Sequence, residues 1–139
     1  MLFRSSLSYR HYEDDWGVRS NTVDARNRIP YDNDSWLEPH VRFYEQTAAD
    51  FFHQGFRDNA PRPTYASADQ RLGRLRTITL GATYGFRVGD LPGEWYVRAE
   101  YMGQFGKAHP VDAIGVQRTY NQAPVMHVGS VVVGWTFER

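Results

Sequence analysis

Six stretches of this chain alternate apolar and polar residues with a period of two, and a chain patterned this way is built for β-sheet. The last stretch is the sharpest. It reads PVMHVGSVVVGWTFER over 124–139, with Val125, Val131, Val133, Trp135 and Phe137 in one phase and Ser130, Gly134, Thr136 and Glu138 in the other. Terminal strands of soluble domains fray and lie at the surface, so such a domain has little reason to end on its most apolar strand. A transmembrane β-strand does, because it faces lipid and carries aromatics at the interface.

The other five runs lie upstream. They cover about 2–12 (Phe3, Leu7, Tyr9), 18–29 (Val23, Ala25, Ile29), 36–46 (Leu37, Val41, Phe43), 75–88 (Ile78, Leu80, Ala82, Tyr84, Phe86) and 95–105 (Trp95, Val97, Ala99, Tyr101, Phe105). Helical periodicity is nearly absent, the best case being 47–56 inside a loop. Turn chemistry separates the runs, as in EDDWG at 13–17, YDNDS at 31–35 and GDLPG at 89–93. Two longer segments, 47–67 and 106–123, lack strand character. In an outer-membrane barrel the C-terminus lies on the periplasmic side. Counting back from it puts 13–17, 47–67 and 106–123 outside and both remaining short turns in the periplasm, the arrangement such barrels use.

Alternation alone suits a soluble sheet as well as a barrel, so the polar phase has to decide. It holds Arg4, Asp24, Arg26, Arg28, Glu38, Arg42, Arg87, Arg98 and Glu100, mixed in sign and suited to cross-strand ion pairs. Of these, Arg26, Arg28, Glu38, Arg42, Arg87, Arg98 and Glu100 are the expected lumen charges. Gly81, Gly85, Ser6, Ser8 and Ser130 in the same phase are small, which suggests close approach by neighbouring side chains. The strained positions are Asn21, Asn27 and Pro39, which share phase with the lipid side, together with Arg74 and Arg76. The arginines precede the apolar band, so the strand should extend above the membrane there. From Ile78 to Phe86 is about nine residues, enough for a tilted strand to span.

Charge and composition narrow the partners. Lys+Arg and Asp+Glu are 16 each, which argues against a nucleic-acid partner, and no cysteine is present for a disulfide or thiolate metal site. No apolar run reaches the length of a helical span, about 18 residues. The first residues contain no signal-peptide core, so an exported protein would carry its leader upstream of Met1. Aromatics make up 15% of the chain, a share that suits interfacial girdles.

The segments WLEPHVRFYEQTAADFF at 36–52 and YASADQRLGRLRTITLGATYGF at 65–86 resemble a bacterial envelope family catalogued as a domain of unknown function, family number 3570. The resemblance rests on Pro39, Arg42, Tyr44 and Gln46 with the run 48–51, and on Ser67, Ala68, Asp69, Arg71 and Leu72. It covers roughly 36–139 and fits the first two strands more loosely. It implies an outer-membrane barrel and, because the family's members are much longer, a C-terminal piece of one. It implies no activity. The last strand also resembles the assembly signal read by the outer-membrane insertion machinery. Ser130, Trp135 and Phe137 match it, Val132 stands where glycine is usual, and Glu138 and Arg139 extend past the customary terminal aromatic.

Catalytic and metal-binding patterns are missing. His11, His40, His53, His109 and His127 are scattered one to an element without ligand spacing, which reads as lone structural or surface histidines. Ser130 and His127 sit three apart on a strand and so on opposite faces, and no G-x-S-x-G turn occurs. Asp50, Asp58, Asp69 and Asp112 lie in or beside external loops without calcium-loop spacing. Arg71, Arg74 and Arg76 fall where lipopolysaccharide phosphates would sit. Phe51, Phe52, Phe56 and Tyr65 could meet a glycan or pack the loop into the barrel mouth.

The sequence therefore predicts an all-β, antiparallel, up-and-down meander of about six strands, the C-terminal segment of a transmembrane β-barrel in the bacterial outer membrane. Its role would be structural or porin-like, with no enzyme activity and no cofactor. Its partners would be lipid, lipopolysaccharide, the insertion machinery, and the remaining strands of its own barrel or further copies. Six strands fall below the usual minimum of about eight, so a fragment of a larger barrel is expected ahead of strand-donating copies. The alternative is a soluble β-sandwich or lipocalin-like ligand-binding domain, which requires Ile78, Leu80, Val131 and Val133 to form a buried cluster.

Overall fold

The computed structural model describes residues 4–56, 59–106, 115–120 and 125–137. Phe3, most of the 106–123 segment, and Glu138 and Arg139 lie outside the described residues. The strands are β1 (Arg4–Glu13), β2 (Arg19–Pro30), β3 (Ser35–Gln46), β4 (Leu75–Phe86), β5 (Glu94–Gly106) and β6 (Met126–Thr136). Each lies within three residues of its expected bounds. They form one antiparallel sheet in the order β1-β2-β3-β4-β5-β6, a plain meander with β1 and β6 as open edges. Among the described residues the strands pack chiefly against their sequence neighbours.

Register converts the alternation into two continuous faces. One row of the apolar face runs Leu7, Ala25, Val41, Leu80, Tyr101, Gly129, and the next runs Tyr9, Val23, Phe43, Ile78, Gly103, His127. Such a face normally finds a second layer. Here it is bare, with Leu7 78% exposed, Leu80 52% and Val131 72%. Ile78 and Val133, the rest of the cluster that a soluble sandwich requires, are exposed as well. Among the described residues the only buried hydrophobic side chains are Val18 and Ala49, both near the long-loop end. The buried residues of the sheet include Ser20, His40 and Thr83, all on the polar face. An exposed apolar face and a more buried polar face reverse the pattern of a water-soluble sheet.

The polar groups that intrude on the apolar face are paired. Asn27 Oδ1 accepts from Ser5 Oγ at 3.0 Å, and Asn21 Oδ1 accepts from the Tyr9 hydroxyl at 2.7 Å. Pro39 cannot donate to the ladder, and the β2–β3 register is interrupted at 27–28 opposite 38–39 while Pro39 still pairs with Ala82 of β4. The Arg28–Glu38 ion pair, 3.0 Å, bridges that interruption from the polar face.

The short-turn end gathers aromatic rings. Trp95 stacks on its cross-strand partner Trp135 at 5.9 Å, and Trp135 meets Phe137 at 5.0 Å. Trp135 Nε1 donates to the Pro92 carbonyl at 3.1 Å. On the polar face, Trp36 and Tyr96 lie flat over Gly85 and Gly134, where a Cβ would fall within 2.1 Å and 2.3 Å of the rings. Any larger residue at either position would push its ring away.

At the opposite end the 47–56 stretch forms no helix. Its backbone is spent on tertiary hydrogen bonds instead. Thr47 N donates to the Arg19 carbonyl at 2.9 Å, Ala49 N to Leu72 at 2.8 Å and Asp50 N to Trp16 at 2.9 Å. The loop then doubles back through a parallel bridge between Phe52 and Ser67. A 3-10 turn over Gln70–Leu72 leads into β4.

Candidate functional site

Chemistry-bearing side chains converge on the polar face. One register row crosses the sheet as Ser6, Arg26, His40, Gly81, Glu100, Ser130. Glycine at 81 leaves β4 without a side chain in this row, so the Glu100 side chain crosses over it to β3. His40 Nδ1 lies 2.9 Å from Glu100 Oε1, and His40 Nε2 lies 2.8 Å from Asp24 Oδ2. A carboxylate oxygen thus stands within hydrogen-bond distance of each ring nitrogen. A Cβ on Gly81 would stand 2.6 Å from Glu100 Cγ. The ring is buried and bound on both sides.

The neighbouring rows extend this network. Arg26 Nε donates to Asp24 Oδ1 at 3.2 Å, and Arg98 Nε to Thr83 Oγ1 at 3.2 Å. The Arg28 guanidinium pairs with Glu38 and lies 3.6 Å over the Trp36 ring, which itself covers Gly85. Arg42 is exposed on the same face, in register between Asp24 and Thr79. Of the expected lumen charges, Arg26, Arg28, Glu38, Arg42, Arg98 and Glu100 thus share one face. Arg87 falls just past the end of β4, in the short-turn region, where its backbone N–H donates to the Asp34 carbonyl at 2.9 Å.

The remaining histidines have separate settings. His11 lies 2.9 Å from Asn21 Oδ1, His53 faces the Phe56 ring at 5.4 Å, and His127 is hydrogen-bonded to and stacked on Tyr101. His109, Asp58 and Asp112 lie outside the described residues. The lone-histidine reading fails for His40, which holds two carboxylates. The separations of 16 and 60 residues explain why spacing could not reveal them. The available signal was that Asp24, His40 and Glu100 share a phase and Gly81 opens a gap between two of them.

At the long-loop end, Arg71 Nη2 contacts Asp69 Oδ2 at 2.6 Å. Arg71 hydrogen bonds hold the Asp69 carboxyl down to about 2. Asp69 also accepts from the Arg71 backbone N–H at 3.0 Å, so the pair caps the 3-10 turn. Arg76 lies 3.8 Å from Glu45, and Arg74 is exposed. The three arginines expected to act together are therefore engaged differently.

A model of the family described as protein of unknown function (DUF3570) matches residues 4–134. The chain belongs to this family. The match reaches all six strands and ends within β6, and it includes the first two, which the sequence resemblance fitted more loosely. No curated protein and no solved structure matches the chain.

In this DUF3570 chain the polar face is organised for ion pairing. Among the described residues, no group of three or more His, Cys, Asp or Glu side chains could hold a metal ion. In the Asp24–His40–Glu100 group the imidazole stands between the carboxylates, where an ion would have to sit. Ser130 faces Glu100 in register, while His127 lies in the opposite phase, so the two cannot form a direct pair.

Proposed function

We propose that this DUF3570 chain is a segment of an outer-membrane β-barrel with a structural or porin-like envelope role. One observation carries the reading. The sheet leaves most of its apolar face bare while much of its polar, ion-paired face is half-buried, and a bare apolar area of that size marks contact with lipid or another protein. Lipid covers the apolar face, the polar face lines a lumen, and further strands, its own or another copy's, join the open edges of β1 and β6. The ring cluster of Trp95, Trp135 and Phe137 belongs at the periplasmic interface. Ser130, Trp135 and Phe137 serve as the signal for the insertion machinery.

The missing cysteine makes the test direct, because every introduced cysteine is unique. Single variants Leu80→Cys, Ala82→Cys, Thr79→Cys and Arg42→Cys carry an environment-sensitive fluorophore in protein reconstituted in lipid vesicles. Probes at 80 and 82 should be blue-shifted and quenched by brominated acyl chains, while those at 79 and 42 should be quenched by aqueous iodide. Iodide quenching at every position, or loss of the period-two pattern, would sink the proposal in favour of a soluble sandwich or lipocalin-like domain.

Arg74 and Arg76 lie just beyond the apolar band on its own phase, next to where lipopolysaccharide phosphates would lie, and guanidinium groups bind phosphate bidentately. Arg71 contributes less, because Asp69 already occupies it. The double variant Arg74→Glu/Arg76→Glu should co-purify with several-fold less lipopolysaccharide than the parent. Arg71→Ala should retain nearly all of it. Equal retention by parent and double variant would refute this contact.

A further inference from the structure

The long-loop end holds a cleft of about 720 Å³ that plays no part in the ion-pair network. Its walls include Trp16, Asp50, Phe51, His53, Thr64 and Tyr65. They come from two separate segments, the β1–β2 turn and the loop after β3, and hydrogen bonds lock these together. Asp14 Oδ1 accepts from the backbone N–H groups of Trp16 and Val18, each at 3.0 Å, which shapes the turn. Asp50 N donates to the Trp16 carbonyl at 2.9 Å, and Arg19 N donates to Thr47 Oγ1 at 2.9 Å. Gly17, at φ +75°, admits the Asp50 side chain, because a Cβ there would fall 2.4 Å from its carboxylate. The far wall is fastened by His53 N to the Ser67 carbonyl and Ser67 N to the Phe51 carbonyl, each at 3.0 Å.

This hydrogen-bonded frame presents bare rings. Trp16 is 55% exposed and Tyr65 77%, while the edge-on contact of Trp16 with Phe51, 5.6 Å, fixes the indole. Beside the rings stand a carboxylate, an imidazole and a hydroxyl. A purely apolar ligand would leave those polar groups unpaired, which is costly. An anion would be repelled by the ring faces and the Asp50 carboxylate, and a cation would use those faces but offer no acceptor to the Thr64 hydroxyl. Carbohydrate satisfies both halves, since a pyranose stacks its C–H face on an aromatic ring and offers its hydroxyls to acceptors and donors around the rim. The volume falls within the range of ordinary ligand sites, about 300–1,000 Å³.

We propose that this cleft binds saccharide, with Trp16 and Tyr65 as stacking platforms and Asp50, His53 and Thr64 as the hydroxyl-reading groups. Two sources supply that chemistry, the sugars of lipopolysaccharide on the same surface and free oligosaccharides in the medium. The proposal stands on the loop geometry and does not require the barrel reading.

The test is a glycan array probed with the full chain in detergent micelles. It carries lipid-free lipopolysaccharide core oligosaccharides in one arm and neutral plant and bacterial oligosaccharides in the other. Hits are titrated by isothermal calorimetry. At least one arm should show binding, and Tyr65→Ala should weaken it about tenfold, the loss of one stacked ring. Asp50→Asn should change the order of preference among sugars. Trp16→Ala should abolish binding. Tyr65 projects from the loop surface, so its variant retains the parent's circular dichroism even where Trp16→Ala perturbs the turn. Hits in the first arm identify the lipopolysaccharide source and hits in the second the free one. No hits in either arm, or unchanged affinity in Tyr65→Ala, would overturn the proposal.

Discussion

Replacing His40 with leucine should lower the unfolding free energy by about 2–3 kcal/mol. Removing one partner of a buried hydrogen bond costs about 1–3 kcal/mol, and more where the group left unpaired is a carboxylate. Here that excess is reduced, since Asp24 keeps Arg26 at 3.2 Å and the Asp24 and Glu100 side chains are 18% and 26% exposed. The measurement is equilibrium urea unfolding in lipid vesicles, followed by tryptophan fluorescence. The midpoint should fall while the slope holds, as expected when stability changes and the surface exposed on unfolding does not. The double variant His40→Leu/Glu100→Gln should recover part of the loss, because no unpaired carboxylate remains at 100, and the non-additivity measures the coupling. Gly81→Ala approaches the same network from the other side. Its Cβ would displace Glu100 from the path across β4, and about half the His40→Leu effect should follow. A His40→Leu variant as stable as the parent would mean that the network contributes no stability.

The strands could be read from sequence because period-two patterning, turn residues and meander connectivity are all local. Even the close approach suggested by small residues in the polar phase was visible, since Gly85 and Gly81 do receive Trp36 and Glu100. What escaped is set by contact between distant elements. His40 looks solitary along the chain, and only the register of β2 through β5 gives it two carboxylates. Trp16 lies in a short turn that reads as plain connection, yet the loop 34 residues further on places Asp50 against it. The weak helical pattern at 47–56 lost to backbone bonds with β2 and with the segment leading into β4. Arg71 shows the converse. Its charge was visible, but its neighbour Asp69, two residues away, consumes it locally.

Arginine placed on the apolar face should cost stability according to its depth, and that gradient separates a bilayer from a protein core. Leu80 and Ala82 sit in the middle of the band that runs from Phe86 to Ile78 on β4. Leu80→Arg or Ala82→Arg should destabilise the vesicle-inserted protein by about 2–4 kcal/mol, the cost of a guanidinium at the bilayer midplane. Ile78→Arg, nearer the boundary, should cost about half as much. The chain supplies its own end point, for Arg76 already occupies the same face two residues further out, beside Glu45 at 3.8 Å. Thr77→Arg, on the polar face opposite Tyr44 and Gln104, should stay within about 0.5 kcal/mol, because a long cation there reaches lumen water. A protein core would respond otherwise. Each buried site would then show its own penalty, set by local packing rather than by distance from Phe86, and Ile78→Arg would cost as much as Leu80→Arg. Urea midpoints for the four variants distinguish the two patterns, and a flat or irregular series would remove lipid as the occupant of the apolar face.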